Sequence, residues 1–418
     1  MNGAARRPPA VEVHGPDVDA SIGFVMRLGL ALHTAGTPAP RLEEVLLDAS
    51  HRLGLEGQFF TTPTSIFAAF GPVERQRTHL LRVEPGSVDL GKLAAIDRVA
   101  RDVQAGRLRV AEGSARVDAV AAAAHPYHWG VRLLAYALAS AVGCRFLGGG
   151  LAEVQAAGLV GLGIGLLSLV FSRFTLPSYL FEFAAAFLGS LIVSLLVSGG
   201  YALAISTATL AGIIIVLPGL TLTQAMTELT SRHLASGTAR LGGAVVVLLA
   251  LVVGVALAAT LVTAAHGPLR SAAVQKLPSS TLYVALALAP LVFSLLLGAR
   301  RRDLPWIYVA SLVGYFGMQA GQRTLGPELG AAVGSLGVGL VANVYDRLRF
   351  GPQAVVFTPG VLLLVPGSLG FRSMTALLDA QTVAGIDAAF TMTLTAVALA
   401  AGFLLANVIV PLRRAKPS

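Results

Sequence analysis

From about residue 128 to the C-terminus the chain is one apolar run after another, and that pattern constrains it more than any other feature. A helix that crosses the hydrocarbon of a bilayer needs ~20 predominantly apolar residues. Ten such stretches can be read: 130–148, 151–171, 177–198, 202–224, 240–264, 280–299, 304–321, 326–346, 353–373 and 386–411. Only 13% of the 418 side chains are charged and 55% are hydrophobic, against about 25% charge in an ordinary soluble chain. The expected fold class is a multi-pass α-helical membrane protein with ten transmembrane helices. Glycines four residues apart inside the runs, Gly161 with Gly165 and Gly317 with Gly321, would let helices approach closely in lipid. Gly161, Gly163 and Gly165 do not form a nucleotide loop, because they lie mid-span with no strand before them.

Charge divides the chain at the same place. Residues 1–125 hold 14 Lys+Arg and 14 Asp+Glu, so the formal net charge of +9 comes entirely from the rest. Those basic residues are scattered between apolar runs, which argues against nucleic-acid binding. The first 19 residues, with Arg6, Arg7, Pro8 and Pro9, lack a signal peptide's apolar stretch and read as a disordered lead. Residues 20–127 read as a small cytosolic α+β domain in the order ααββαα, with helices over 21–33, 41–53, 90–103 and 108–123. Its strand region runs from Gln58 to Phe70 with Pro63 as the break, and residues 79–83 are a candidate partner strand. Thr61, Thr62, Thr64 and Ser65 could suggest a nucleophile or phosphate site. No His, Lys or carboxylate stands at an activating spacing, so solvated strand positions are expected. The lone Cys144 excludes a disulfide framework, and His33, His51 and His79 lack metal-ligand spacing; no cofactor or metal is expected.

With the N-terminal domain placed in the cytosol, twelve Lys/Arg fall on the inner ends of the spans, including Arg300, Arg301 and Arg302. Five fall outside: Arg145, Arg270, Lys276, Arg323 and Arg372. The positive-inside rule then puts both termini in the cytosol.

A self-match carries the functional signal. Residues 212–237 align without a gap on 360–385, at an offset of 148. Gly212, Pro218, Gly219, Met226, Thr227, Leu229 and Gly237 fall on Gly360, Pro366, Gly367, Met374, Thr375, Leu377 and Gly385. A weaker match at offset 146 pairs Glu182 with Glu328. Each copy belongs to a set of five spans, 128–264 and 280–411. Five is odd, so the second set enters the membrane from the opposite side, as in the inverted repeats of secondary transporters. Pro218-Gly219 and Pro366-Gly367 interrupt apolar runs, and broken backbone at membrane depth survives only inside protein or beside a wet cavity. Either break alone reads equally as a packing kink; the symmetric pair points to a transport site. Candidate substrate contacts are Pro218, Gly219, Gln224, Pro366, Gly367 and Arg372. Candidate coupling groups are Glu182 and Glu328, since carboxyls in membrane spans are costly and usually functional. Glu153, Arg145, Glu328 and Arg372, near the outer ends, also read as interfacial groups.

These residues resemble the bacterial threonine/serine exporter family, in its fused two-half form. The resemblance runs from about Phe24 to the C-terminus and includes Leu28 to Leu32, Gly36, Thr62-Pro63-Thr64 and Leu217-Pro218-Gly219. It is most specific at Gly326-Pro327-Glu328 and over residues 365–372. It implies a cytosolic domain followed by two five-span halves, in the cytoplasmic membrane of a bacterium. It further implies export of threonine and serine driven by the membrane potential or proton gradient, with protons as the expected coupling ion. Split members linked to dicarboxylate export make a dicarboxylate such as succinate the alternative substrate. A membrane-anchored hydrolase or sensor acting through the N-terminal domain is the reading from a different class; no catalytic motif supports it, and a non-enzyme is expected. The expected partners are thus a small polar amino acid, the lipid bilayer and protons, with homo-oligomerisation left open.

Overall fold

The computed structural model describes residues 16–174, 176–364, 367–378 and 380–411. Helix α1 (Pro16–Thr34) begins inside the stretch read as a disordered lead, and residues 1–15 lie outside the described part. Helix α2 (Ala39–Arg52) follows, then strands β1 (Gly57–Thr62), β2 (Ser65–Phe70) and β3 (Arg77–Arg82), and helices α3 (Leu90–Gln104) and α4 (Val110–Ala122). The strands form an antiparallel meander in the order β1-β2-β3, with Thr62 paired to Ser65 across the Pro63-Thr64 turn. The sheet thus has three strands, and the third starts at Arg77 rather than His79. Phe24, Leu28, Leu42, Leu46, Ile66 and Ile96 are almost wholly buried between the helices and one face of the sheet.

Among the described residues twelve α-helices follow: α5 (Trp129–Phe146), α6 (Leu151–Arg173), α7 (Phe181–Ser198), α8 (Ile205–Gly212), α9 (Gly219–Thr230), α10 (Leu234–His266), α11 (Ser280–Leu296), α12 (Leu304–Leu325), α13 (Pro327–Arg347), α14 (Ala354–Val361), α15 (Gly367–Leu378) and α16 (Thr382–Ile409). Among the described residues five helices are long and apolar enough to cross a membrane: α6, α7, α10, α13 from Leu329, and α16. Helices α8 and α9, bent by 52° with a 3-10 turn at Ile214–Val216 between them, form a sixth candidate. The continuous span read over 202–224 is therefore two short helices. The stretch read as one span over 353–373 is likewise divided, into α14 and α15. Many leucines and valines of these helices face outward, among them Leu159, Leu166, Val246, Val253 and Leu405, as lipid-facing side chains do.

Small residues set the helix spacing. On α6, Gly161 is pressed against Tyr136 and Ser140 of α5, and Gly165 against Leu133 and Tyr136. Gly317 and Gly321 of α12 meet Gly334, Gly330 and Val333 of α13. The long helices close the bundle the same way: Gly254 of α10 lies on the backbone of Phe183 and Phe187 in α7, and Gly402 of α16 lies on Ala332 and Leu336 in α13. The turns after the two interrupted helices also match. Arg232 (φ 67°) and Ala380 (φ 58°) both take left-handed backbone. His233 N donates to Glu228 O and Gln381 N donates to Ala376 O, each at 2.8 Å. Gly237 packs on Leu229, and Gly385 packs on Leu377. All of these pairs are 148 residues apart.

Candidate functional site

The two helix interruptions meet. A β-carbon built on Gly367, the first residue of α15, would lie 3.0 Å from Gly219 Cα, 3.1 Å from Gly219 N and 3.3 Å from Leu217 Cβ. A methyl group there would be crowded, so the two stretches of backbone come into contact at the starts of α9 and α15. Gly219 and Gly367 are both buried. Pro218 is the N-cap of α9 (φ −78°, ψ 37°), and no side chain among the described residues caps that helix start. The first backbone N–H groups of an α-helix have no partner within it, and its start carries partial positive charge. Two such starts converge on one junction. Thr223, buried one turn into α9, donates to Gly219 O at 3.0 Å.

Each interruption is enclosed by the helices of its own set. Around the first, Ser140 Oγ donates to the Gly212 carbonyl at 2.8 Å, Gly212 packs on Val160, Gly143 faces Ile214, and Gly189 faces Ile213. Around the second, Gly360 packs on Val338 and Ala310, while Gly314 and Gly334 face Leu364. The sets also cross over. Met226 of α9 clusters with Ala396 and Ala400 of α16, and Met374 of α15 packs on the cluster holding Leu248 and Leu251 of α10.

The structure thus brings Gly219 and Gly367 together; Pro366 lies outside the described residues. Gln224 is half-buried on the second turn of α9, and Arg372, at the corresponding position of α15, is exposed. Glu182 is half-buried in the first turn of α7. Glu328 is the second residue of α13, and its side chain lies outside the described part.

Other expectations require correction. Glu153 is not an interfacial group: it is 2% exposed, and its carboxylate accepts from Gly150 N (2.9 Å) at its own helix start and from Ala204 N (2.8 Å), the N-cap of α8. Thr61 is not solvated. It is buried, and its N and Oγ1 both donate to Glu43 Oε1, at 2.7 and 2.9 Å. Glu228, in the last turn of α9, went unnoticed in the sequence. It is fully buried and ion-paired with Arg240 at 2.9 Å. Its sequence signal is an acid within the self-match where the second copy has Ala376.

Outward-facing apolar helices around a junction of interrupted helices define a helical membrane protein. Sequence models of the threonine/serine exporter match residues 23–262 and 282–409, and the chain belongs to that family. It is 29% identical over 401 residues to pheromone-regulated membrane protein 10 of Debaryomyces hansenii, covering 92% of this chain and 38% of that one. It is 25% identical to the protein of the same name in Saccharomyces cerevisiae, over 91% and 51% of the two chains. An uncharacterized protein of Schizosaccharomyces pombe is 26% identical over 86% and 49%. The chain therefore spans between about two fifths and half of the length of these relatives. No solved structure matches it.

Proposed function

We propose that this protein is a secondary transporter that exports threonine, serine or a related small polar amino acid across the cytoplasmic membrane of a bacterium. In this reading ten spans form two five-helix halves of opposite topology behind a cytosolic N-terminal domain, and proton-motive force drives the cycle. The observation that carries it is the backbone contact between Gly219 and Gly367. Matched interruptions that meet, in a helical membrane protein, are the arrangement in which substrate sits at unwound backbone. The matched turns, the paired glycine contacts and the crossed methionine contacts support two related halves.

The chemistry suits the carboxylate of a zwitterion. Two helix starts present partial positive charge to a carboxylate, with the N–H groups that follow Gly219, whose own N–H turns back to Leu217 O. The same two starts favour a second reading, a small dicarboxylate, whose two anionic groups would each face one of them; exposed Arg372 on α15 adds positive charge. Counterflow of labelled threonine, serine and succinate in proteoliposomes separates the two. Acceleration by unlabelled amino acid but not by dicarboxylate is the expected result. Acceleration by dicarboxylate alone would transfer the site to the second reading, and no counterflow of any of them would end both.

A further inference from the structure

Segment α1–α4 touches both sets of helices, and the two contacts differ in kind. Against α11–α14 it is mostly apolar: the core around Leu90, Leu93 and Ile96 runs without interruption into Ile307, Val338 and Val355. There the start of α3 stands on the end of α11, with Leu90 N donating to Leu297 O at 2.8 Å, and Tyr127 Oη donates to Ala299 O at 2.6 Å. Opposite helix ends joined in this way also bring opposite partial charges together.

Against α9 and α10 the contact is polar and centred on one carboxylate. Glu228, 0% exposed, accepts from Ser236 Oγ (2.7 Å), from Arg240 Nε (2.9 and 3.0 Å) and from Ala39 N (3.0 Å). Ala39 opens α2 between Pro38 and Pro40. Neither proline carries an N–H, so the Pro-Ala-Pro start leaves one donor, and it points at Glu228. Beside it His233 Nε2 lies 3.3 Å from Glu43 Oε2, and Glu43 holds β1 through Thr61.

We propose that Glu228 is a positioning residue that fastens the C-terminal end of α9 to the N-terminal domain, and that this fastening opens and recloses during transport. The inference rests on the transporter reading. Two helix sets that rock against each other cannot both keep rigid contact with one domain. The apolar contact, sharing a core with α11–α14, is the one that stays. The polar one is suited to release: when Ala39 leaves, Glu228 keeps Arg240 and Ser236, so no buried charge is stranded, and the freed N–H turns to water. The device belongs to the first interruption only, since Ala376 stands at the corresponding position of α15.

The test combines hydrogen exchange by mass spectrometry on the full chain with counterflow. A paired variant, Glu228→Met with Arg240→Leu, removes the acceptor without leaving either charge unpaired. It is expected to speed exchange roughly tenfold at the start of α2 while the start of α3 stays protected. The maximal counterflow rate should shift severalfold at an unchanged half-saturating concentration. Glu228→Gln, which keeps an acceptor for Ala39, should restore much of the protection. Unchanged exchange at Ala39, equal deprotection of both helix starts, or altered exchange with wild-type transport would each overturn the proposal. A wild-type protein that moved none of the tested substrates would remove the transport reading and the release step with it, whereas the exchange limb decides the fastening separately.

Discussion

Gly367→Ala is the smallest change that separates the two interrupted helices. The new methyl carbon would stand 3.0 Å from Gly219 Cα and 3.3 Å from Leu217 Cβ, where carbon atoms prefer about 3.5–4.0 Å. Helix starts α9 and α15 must therefore part by a few tenths of an ångström. Overpacking of this size costs about 1–3 kcal/mol, and each ~1.4 kcal/mol is tenfold in a rate or a binding constant. If substrate is held by groups from both starts, counterflow should fall by about ten- to a hundredfold. Folded yield, read by size-exclusion of the detergent-solubilised protein, should stay near wild type because one methyl is added at a helix start. Gly367→Val and Gly219→Val should act in the same direction and more strongly. Gly243→Ala is the control: nothing lies within 4 Å of its added carbon, so yield and transport should both hold. Gly161→Val should instead lower folded yield, because its side chain would be driven into Tyr136 and Ser140. Wild-type counterflow in Gly367→Ala would refute the idea that the junction holds the substrate. Loss of transport only in step with loss of folded protein would reduce the junction to packing.

Three further outcomes can be checked. Cysteine at position 267, in place of Gly267 beyond the end of α10, should be labelled by an impermeant maleimide in intact cells, and cysteine replacing Arg301 only after permeabilisation; the reverse pattern would invert the topology. Glu182→Gln should abolish gradient-driven uphill export while sparing exchange if Glu182 carries the coupling proton, and full uphill export would leave it an interfacial residue. Burial holds the His33 imidazole below its usual 6.5, with Nε2 donating to Thr62 O at 2.7 Å. Because the unfolded chain then takes up a proton more readily than the fold, His33's contribution is complete above pH 6.5 and declines as pH falls below it. Thermal melts between pH 7.5 and 5 should drop further in wild type than in His33→Gln, and parallel profiles would contradict this assignment.

The membrane character, the outer limits of most helices and both interruptions were legible because each rests on local pattern: apolar length, and Pro-Gly within it. The expected strand break at Pro63 became the β1–β2 turn for the same local reason. What stayed hidden depends on distant partners. Glu153 reads like any acid near a helix end, because the donor it holds, Ala204 N, is 51 residues away. Thr61 reads as exposed because Glu43 belongs to a different helix. Glu228 is less than three turns into an apolar region, and its burial is explained by Ser236 and Arg240 of the next helix and by Ala39, 189 residues earlier. Pattern within a window finds the elements; a buried charge is explained only by what the fold brings to it.

The same distinction separates the features the two helix sets share from those they do not. Gly237 on Leu229 and Gly385 on Leu377, and left-handed Arg232 and Ala380, are contacts and turns made inside each set, so duplicated sequence reproduces them. Glu228, Arg240 and Ser236 correspond to Ala376, Ala388 and Ala384; in the first set Glu228 holds the start of α2, and position 376 offers no carboxylate to do the same. If the two halves tilt against each other as proposed, a symmetric pair of interruptions gives two equivalent tilts. A domain fixed by apolar packing to α11–α14 and by the Glu228 carboxylate to α9 would make them unequal, since only one tilt would stretch the Glu228–Ala39 contact. The alanines at 376, 384 and 388 are therefore expected to tolerate polar substitution without change in the balance between the two tilts, whereas Glu228 is not. Accessibility of single cysteines on each face of the bundle, compared between the paired Glu228→Met, Arg240→Leu variant and Ala384→Ser, measures that balance. Equal shifts in both variants would mean that the domain does not set it.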